Sequence, residues 1–318
     1  MSKNSETLKP DITDIAQTIE RYCPDWKIDS IHWMGEGDFC RAYMVNAAWV
    51  FRFGKHQTAR ESLRRESCLL PHLASAVTLQ IPAPQVFAFD ESAGVGFAGY
   101  PLLPGVALTQ EKYLNLDDTD RTRCAGQVAT FLNQLHGIEL SIAVDCGVPI
   151  RNYATEYADL LERAQFELFP RLAKTERLFI EQVINTYLAS DDTLNYHPTL
   201  LHGDLSPDHV LFDDTSQTVT GIIDFGDMMI GDPAWDLVFI YEDFGLDFLS
   251  RVLTGFHHTD RTALFNRLFQ LYLLAAIDWA AGSRARGEAE FEEALELIHE
   301  LQREATQQRE YLFLVCKE

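Results

Sequence analysis

Asp204, His209 and Asp224 are the residues whose types and spacing could do chemistry. The run His202-Gly203-Asp204 is followed by His209, and then by Asp224-Phe225-Gly226. Between them lie two short apolar runs, His209 to Phe212 and Val219 to Ile223, separated by the polar stretch Asp213 to Gln217. That pattern predicts a β-hairpin, which sets the residue before its first strand beside the residue after its second. The two aspartates are therefore expected to converge with His209 at one end of the hairpin. A carboxylate there can orient an attacking hydroxyl and take its proton. A second carboxylate, with an imidazole, can hold Mg²⁺ against a polyphosphate, which two bare carboxylates would repel. Asp204 is thus the candidate catalytic residue of a phosphoryl transfer, and His209 and Asp224 are the candidate metal ligands.

The elements that must position these groups follow from periodicity. Residues 11–22 read as a short helix, with Ile12, Ile15, Ile19 and Tyr22 at helical spacing. Ile31 to Phe53 alternates and is rich in aromatics, which predicts three antiparallel strands, with Gly35 and Gly37 in the first turn and a second turn near Asn46. Thr58 to Leu73 reads as a helix, and Val86 to Phe89 and Phe97 to Leu103 as further strands. Two prolines and a terminal glycine in Gly99-Tyr-Pro-Leu-Leu-Pro-Gly105 mark a connector. Residues 117–137, 153–189, 258–282 and 288–310 carry the 3.6-residue period. The expected fold is α+β and two-lobed: residues 1–98 form an antiparallel β lobe with one helix, 99–105 a connector, and 106–318 a mainly helical lobe.

Charge narrows the partners. The net charge is −22, which excludes a general nucleic-acid binder. No Lys or Arg occurs between Arg177 and Arg251, a stretch holding 14 acidic residues. An acidic cluster assembled there calls for water, metal or a cationic ligand. The longest apolar stretch, Leu271 to Ala281, is too short to span a membrane and contains Asp278. The start, Met1 to Ile15, has no apolar run of a secretory signal. Cys23, Cys40, Cys68, Cys124, Cys146 and Cys316 are scattered, without a C-x-x-C pair, so reduced thiols in a cytoplasm are expected.

Leu201 through Asp236 resembles the catalytic-loop and D-F-G region of the aminoglycoside phosphotransferase family, whose broader relatives include macrolide phosphotransferases, choline kinases and protein kinases. Gly231-Asp-Pro-Ala-Trp-Asp236 continues the likeness. The text near the D-F-G is most similar to the branch that modifies a 2″-hydroxyl. The resemblance implies a protein-kinase-like fold, Mg²⁺, and ATP or GTP as co-substrate. It implies that Gly35 and Gly37 lie in a loop over the phosphates, and that Arg52 occupies the strand position of a phosphate-binding lysine with Glu66 as its ion-pair partner. Arg in place of Lys is a departure, and so is Cys40 where a third glycine is usual. Lys55 is a second candidate for phosphate contact. Tyr100, Leu102 and Leu103 fall where the family holds the base, Tyr100 being bulky enough to favour guanine. The resemblance also makes His202, Asp232 and Asp236 braces of the catalytic loop; His136 reads as a satisfied core histidine.

The substrate expectation joins charge to resemblance. In the family, helices after the D-F-G build a pocket whose acids meet ammonium groups. Glu242, Asp243, Asp278 and Trp279 match that place, with Asp204 shared. Asp278, among Leu273, Leu274 and Ile277, would be costly to bury unpaired. Glu288, Glu290, Glu292, Glu293, Glu296 and Glu300 read as a solvated helix face. The expected activity is transfer of a γ-phosphate to a hydroxyl of a polycationic aminoglycoside, conferring resistance. The alternatives are a kinase of another small hydroxylated molecule such as a macrolide, or a non-catalytic nucleotide-binding pseudokinase. The number of subunits is left open.

Overall fold

In a computed structural model of the chain, residues 12–189, 196–258 and 260–315 are described, with side chains as far as Arg303. Met1 to Asp11 and Cys316 lie outside them. The first lobe is a five-stranded antiparallel sheet of β1 (Ile31–Glu36), β2 (Cys40–Val45), β3 (Trp49–Gly54), β4 (Val86–Asp90) and β5 (Val95–Pro101). Its spatial order is β1-β2-β3-β5-β4. Asn46 and Ala47 take positive φ (53° and 52°) in the β2–β3 turn, matching the strands' right-handed twist. Helix α1 (Ile12–Tyr22) lays Ile15, Ile19 and Tyr22 against Val45, Phe51 and Phe97. Helix α2 (Gln57–Leu73) buries Leu63, Leu69 and Leu70 together with Glu66.

The hairpin between the two aspartates forms as expected. Strand β8 (Val210–Asp213) pairs with β9 (Thr218–Ile222), Val210 opposite Ile222, and on its other edge with the short strand β6 (Val106–Ala107). Two short strands flank it in sequence: β7 (Thr199–Leu201) pairs antiparallel with β10 (Met229–Gly231), clamping the start of the 202–209 loop to the chain beyond Asp224-Phe225-Gly226. A helical scaffold surrounds them, chiefly Asp118–His136, Arg261–Ser283 and Glu288–Val315.

Four expectations need correction. The periodic run 153–189 is two helices, Tyr153–Glu167 and Lys174–Ala189, parted at Pro170, which cannot donate a helical hydrogen bond. Gly99 to Pro101, within the expected 99–105 connector, complete β5 through Phe51–Gly99 and Trp49–Pro101 pairing. Gln110–Asn115 and Leu140–Asp145 are helices too short to show a period in the sequence, and Leu246–Gly255 is a further helix outside the expected set. Finally, not all thiols are reduced. Cys68 of α2 and Cys146, which ends the helix Leu140–Asp145, form a disulfide with Cα atoms 5.6 Å apart. Their separation of 78 residues hid this pairing from the sequence.

Candidate active site

The loop that begins at His202 is held by a buried carboxylate. Asp236, fully buried, accepts hydrogen bonds from the His202 and Gly203 backbone N–H groups (3.1 and 2.9 Å) and from His136 Nε2 (2.8 Å). Asp232, equally buried, is matched by Arg267 Nε at 2.7 Å. Gly203 has φ +90°, and a Cβ there would stand 2.2 Å from the Asp227 carbonyl oxygen, so only glycine fits. His202 donates Nε2–H to the Ile223 carbonyl (3.0 Å) and accepts the Asp204 N–H on Nδ1 (3.3 Å). Burial pushes its pKa down, so the ring is the neutral tautomer those bonds require. It thereby ties the residue before Asp224 to Asp204.

The single turn Pro207–His209 brings the second imidazole over. His209 Nδ1–H donates to the Asp204 carbonyl at 2.8 Å, which leaves the Nε2 lone pair facing Asp224 Oδ2, 3.7 Å away. Asp204 Oδ2 lies 3.5 Å from His209 Nδ1. Asp224 itself has φ +61°, a conformation costly for a non-glycine residue and common at ligand clamps. Above them Arg52 forks: Nη1 donates to Glu66 Oε2 (2.8 Å) and Nη2 to Asp224 Oδ1 (3.1 Å). Ser62 Oγ of α2 donates to the Gly226 carbonyl at 2.8 Å, fixing the helix to the D-F-G turn.

Electrostatics separates the carboxylates. Burial, reinforced by Asp227, Asp224 and Asp243 and opposed by His209, holds Asp204 above the usual carboxylate range. Burial would raise Asp224 too, but Arg52, His209 and His202 bring it below. Glu66 sits high because burial outweighs Arg52, and its Oε1 has no hydrogen-bond partner among the described atoms. A proton-accepting group and an ionised, cation-facing group thus stand side by side.

Two cavities meet here. One of about 210 Å³ is lined by Gly35, Gly37, Arg52, Glu66, Asp224 and neighbouring loop residues. Lys55 does not line it; its Nζ donates to the Gly37 carbonyl (3.0 Å) in the loop that does. Tyr100, Leu102 and Leu103 lie at the end of β5 and in the connector and do not line this cavity. The second cavity, about 660 Å³, runs from Asp204 past Asp227 to Met229, Trp235, Phe239 and Arg151. Arg151 and Asp227 were not singled out from sequence: a lone Arg after Pro149-Ile150 carries no spacing signal.

Glu242 and Asp243 stand on a π-helical turn, Ile240–Phe244, of the kind often found beside functional sites. Burial raises both carboxyls, with Asp243 adding to Glu242 and Asp208 adding to Asp243. Asp243 therefore joins the Asp204–His209 neighbourhood. Asp278 does not. It lies exposed on the outer face of its helix, paired with Arg163, and is not the buried acid expected. Trp279, 39% exposed, lies under the Arg286 guanidinium. Helical spacing explains the correction, since the buried Leu273, Leu274 and Ile277 turn one face inward and leave 278 and 279 outside.

Among the described residues no three His, Cys, Asp or Glu side chains cluster around a metal position. His209 Nε2 and Asp224 Oδ2 are two donors on one side of a cleft, and Mg²⁺ commonly takes one or two protein ligands and completes its shell with phosphate and water. The pair fits such an ion.

Residues 40–268 match the family model described as the phosphotransferase enzyme family, APH. The GDP complex of wild-type aminoglycoside 2′-phosphotransferase-IIIa is 32% identical, with 93% of this chain and 99% of that chain covered, at a TM-score of 0.84. The GDP and kanamycin complex of APH(2″)-IIIa is 34% identical, with 90% and 97% covered, at a TM-score of 0.82. Viomycin phosphotransferase of Streptomyces vinaceus is 26% identical over 69% of this chain and 75% of its own length. Matches to curated relatives span 66% and 75% of those proteins.

Proposed function

Since the chain belongs to the APH phosphotransferase enzyme family and has its kinase-like fold, we propose that it transfers the γ-phosphate of ATP or GTP to a hydroxyl of an aminoglycoside, conferring resistance. The observation that carries this is the convergence of Asp204, His209 and Asp224 beneath the Arg52–Glu66 pair. Asp204 accepts the proton of the acceptor hydroxyl as its oxygen bonds to the γ-phosphorus and the bond to the bridging oxygen breaks, releasing the nucleoside diphosphate. Its raised pKa gives it proton affinity for that task. Arg52, oriented by Glu66, and the Gly35–Gly37 loop grip the phosphates. His209 and Asp224 would hold Mg²⁺, which when bound neutralises charge on the phosphates. Glu242 and Asp243 meet the acceptor's ammonium groups.

The GDP and kanamycin held by the similar solved protein support this assignment of co-substrate and acceptor class. The apolar wall of Met229, Trp235 and Phe239 favours a second reading, a less charged acceptor such as a macrolide. Mass spectrometry of aminoglycosides and macrolides, each incubated with the protein, Mg²⁺ and ATP or GTP, tests both. A gain of one phosphate on an aminoglycoside is expected. Transfer to macrolides alone would install the second reading, and nucleotide binding without product would leave the pseudokinase.

A further inference from the structure

The larger cavity holds two arginines, which the acidic composition does not suggest. Its lining brings Asp204, Asp227 and Glu156 together with Arg151 and with Arg65 of α2. Arg151 is anchored from several directions. Its backbone N–H donates to the Ile230 carbonyl (2.9 Å), which docks its loop onto β10. Its guanidinium lies 3.7 Å from the Trp235 ring centroid and 4.6 Å from that of Tyr153. Trp235 Nε1 in turn donates to the Gly203 carbonyl (3.1 Å), so this platform is tied to the residue preceding Asp204. Glu156 takes only Nε (2.6 Å), Nη1 reaches no further than the Met229 sulfur (3.9 Å), and Nη2 has no hydrogen-bond partner among the described residues. A planar cation with spare donors, stacked and immobile, is built for recognition rather than for a loose surface role.

We propose that Arg151, stacked on Trp235, is a specificity-determining residue of the acceptor site that receives an oxygen-rich, amine-free ring of the acceptor and rejects an ammonium at that wall. This rests on the acceptor reading above and sharpens it. The acceptor lies with its ammonium groups toward Asp204, Asp227 and the Glu242–Asp243 turn, and with hydroxyl or ether oxygens on Arg151. Binding strength then depends on where the positive charges sit as well as on how many there are. Rejection is the counterpart of recognition, because a buried like-charge contact costs more than one hydrogen bond returns.

Calorimetric affinities for aminoglycoside pairs differing by one amine-for-hydroxyl exchange test it, starting with kanamycin A and kanamycin B and covering the remaining ring positions. At one ring position the wild-type protein should bind the hydroxyl member about tenfold or more tightly. Arg151→Gln should abolish that preference, Arg151→Glu should invert it, and Arg151→Lys, which keeps the charge, should largely retain it. Glu156→Gln, which removes the partial neutralisation, should strengthen it a few-fold, and supplies the answer if the Arg151 variants do not fold. Unchanged GDP affinity in each variant shows the nucleotide lobe intact. Identical ratios in all proteins would overturn the role of Arg151 while leaving the acceptor class standing. A wild-type protein that binds no aminoglycoside would overturn both.

Discussion

Replacing Asp204 with Asn separates two consequences of the same carboxylate. Its charge is held among Asp224, Asp227 and Asp243, and the side chain is 33% exposed. At an effective dielectric near 20, a like charge at several ångströms costs about 1–3 kcal/mol, and the exposure and the opposing His209 reduce the net figure to about 1 kcal/mol. Asn keeps the shape and loses the charge. The variant should therefore be more stable than the parent, by about 2 °C in Tm for a chain of this size, when both are measured without nucleotide and with chelator present. Phosphoryl transfer should fall by about 10²–10⁴-fold, the range of a lost general base, with nucleotide affinity nearly unchanged. Differential scanning calorimetry and a coupled turnover assay on one preparation read both quantities. Lower activity with lower Tm would make Asp204 a structural brace whose loss disorders the loop. Undiminished turnover would remove it from the chemistry.

Arg52→Lys should lower the urea unfolding free energy by about 1–3 kcal/mol, because a single ammonium cannot span Glu66 and Asp224 together and Glu66 is only 3% exposed; an unchanged midpoint would show that the fork carries no load. Glu242 and Asp243 have raised pKa values, so their contribution to stability is complete below the unfolded values near 4 and is lost as pH rises through the folded ones. A polyamine that relieves them should raise Tm more at pH 7 than at pH 4, and the double variant Glu242→Gln, Asp243→Asn should flatten that difference. Closing a loop across 78 residues is worth about 4.5 kcal/mol in the chain-entropy account. Cys146→Ser should therefore cost several kcal/mol by denaturant titration; a loss below about 1 kcal/mol would restore the reduced-thiol expectation.

The parts of this molecule legible in sequence are those whose signal is local. Two apolar runs around a polar turn fix a hairpin, and the hairpin alone predicts that Asp204 and Asp224 meet His209, which they do. The Arg52–Glu66 pair came from the family resemblance rather than from spacing, and the two side chains do meet, at 2.8 Å. Asp278 misled because hydrophobic neighbours in sequence are not neighbours in space on a helix: one residue beyond Ile277 the face has already turned to solvent and to Arg163. Nor could spacing show that Cys68 meets Cys146, or that Arg151 meets Trp235, since each pairing depends on how separate segments dock. The difference has a chemical consequence. Under the proposed function, the residues assigned to phosphate lie in contiguous motifs, whereas the proposed acceptor wall is assembled from the loop at 149–151, the β10 segment and the helix at 234–239. Substitutions on that wall can change which acceptor fits while Asp204, His209 and Asp224 keep their geometry. Acceptor preference is therefore the property that motif likeness carries least.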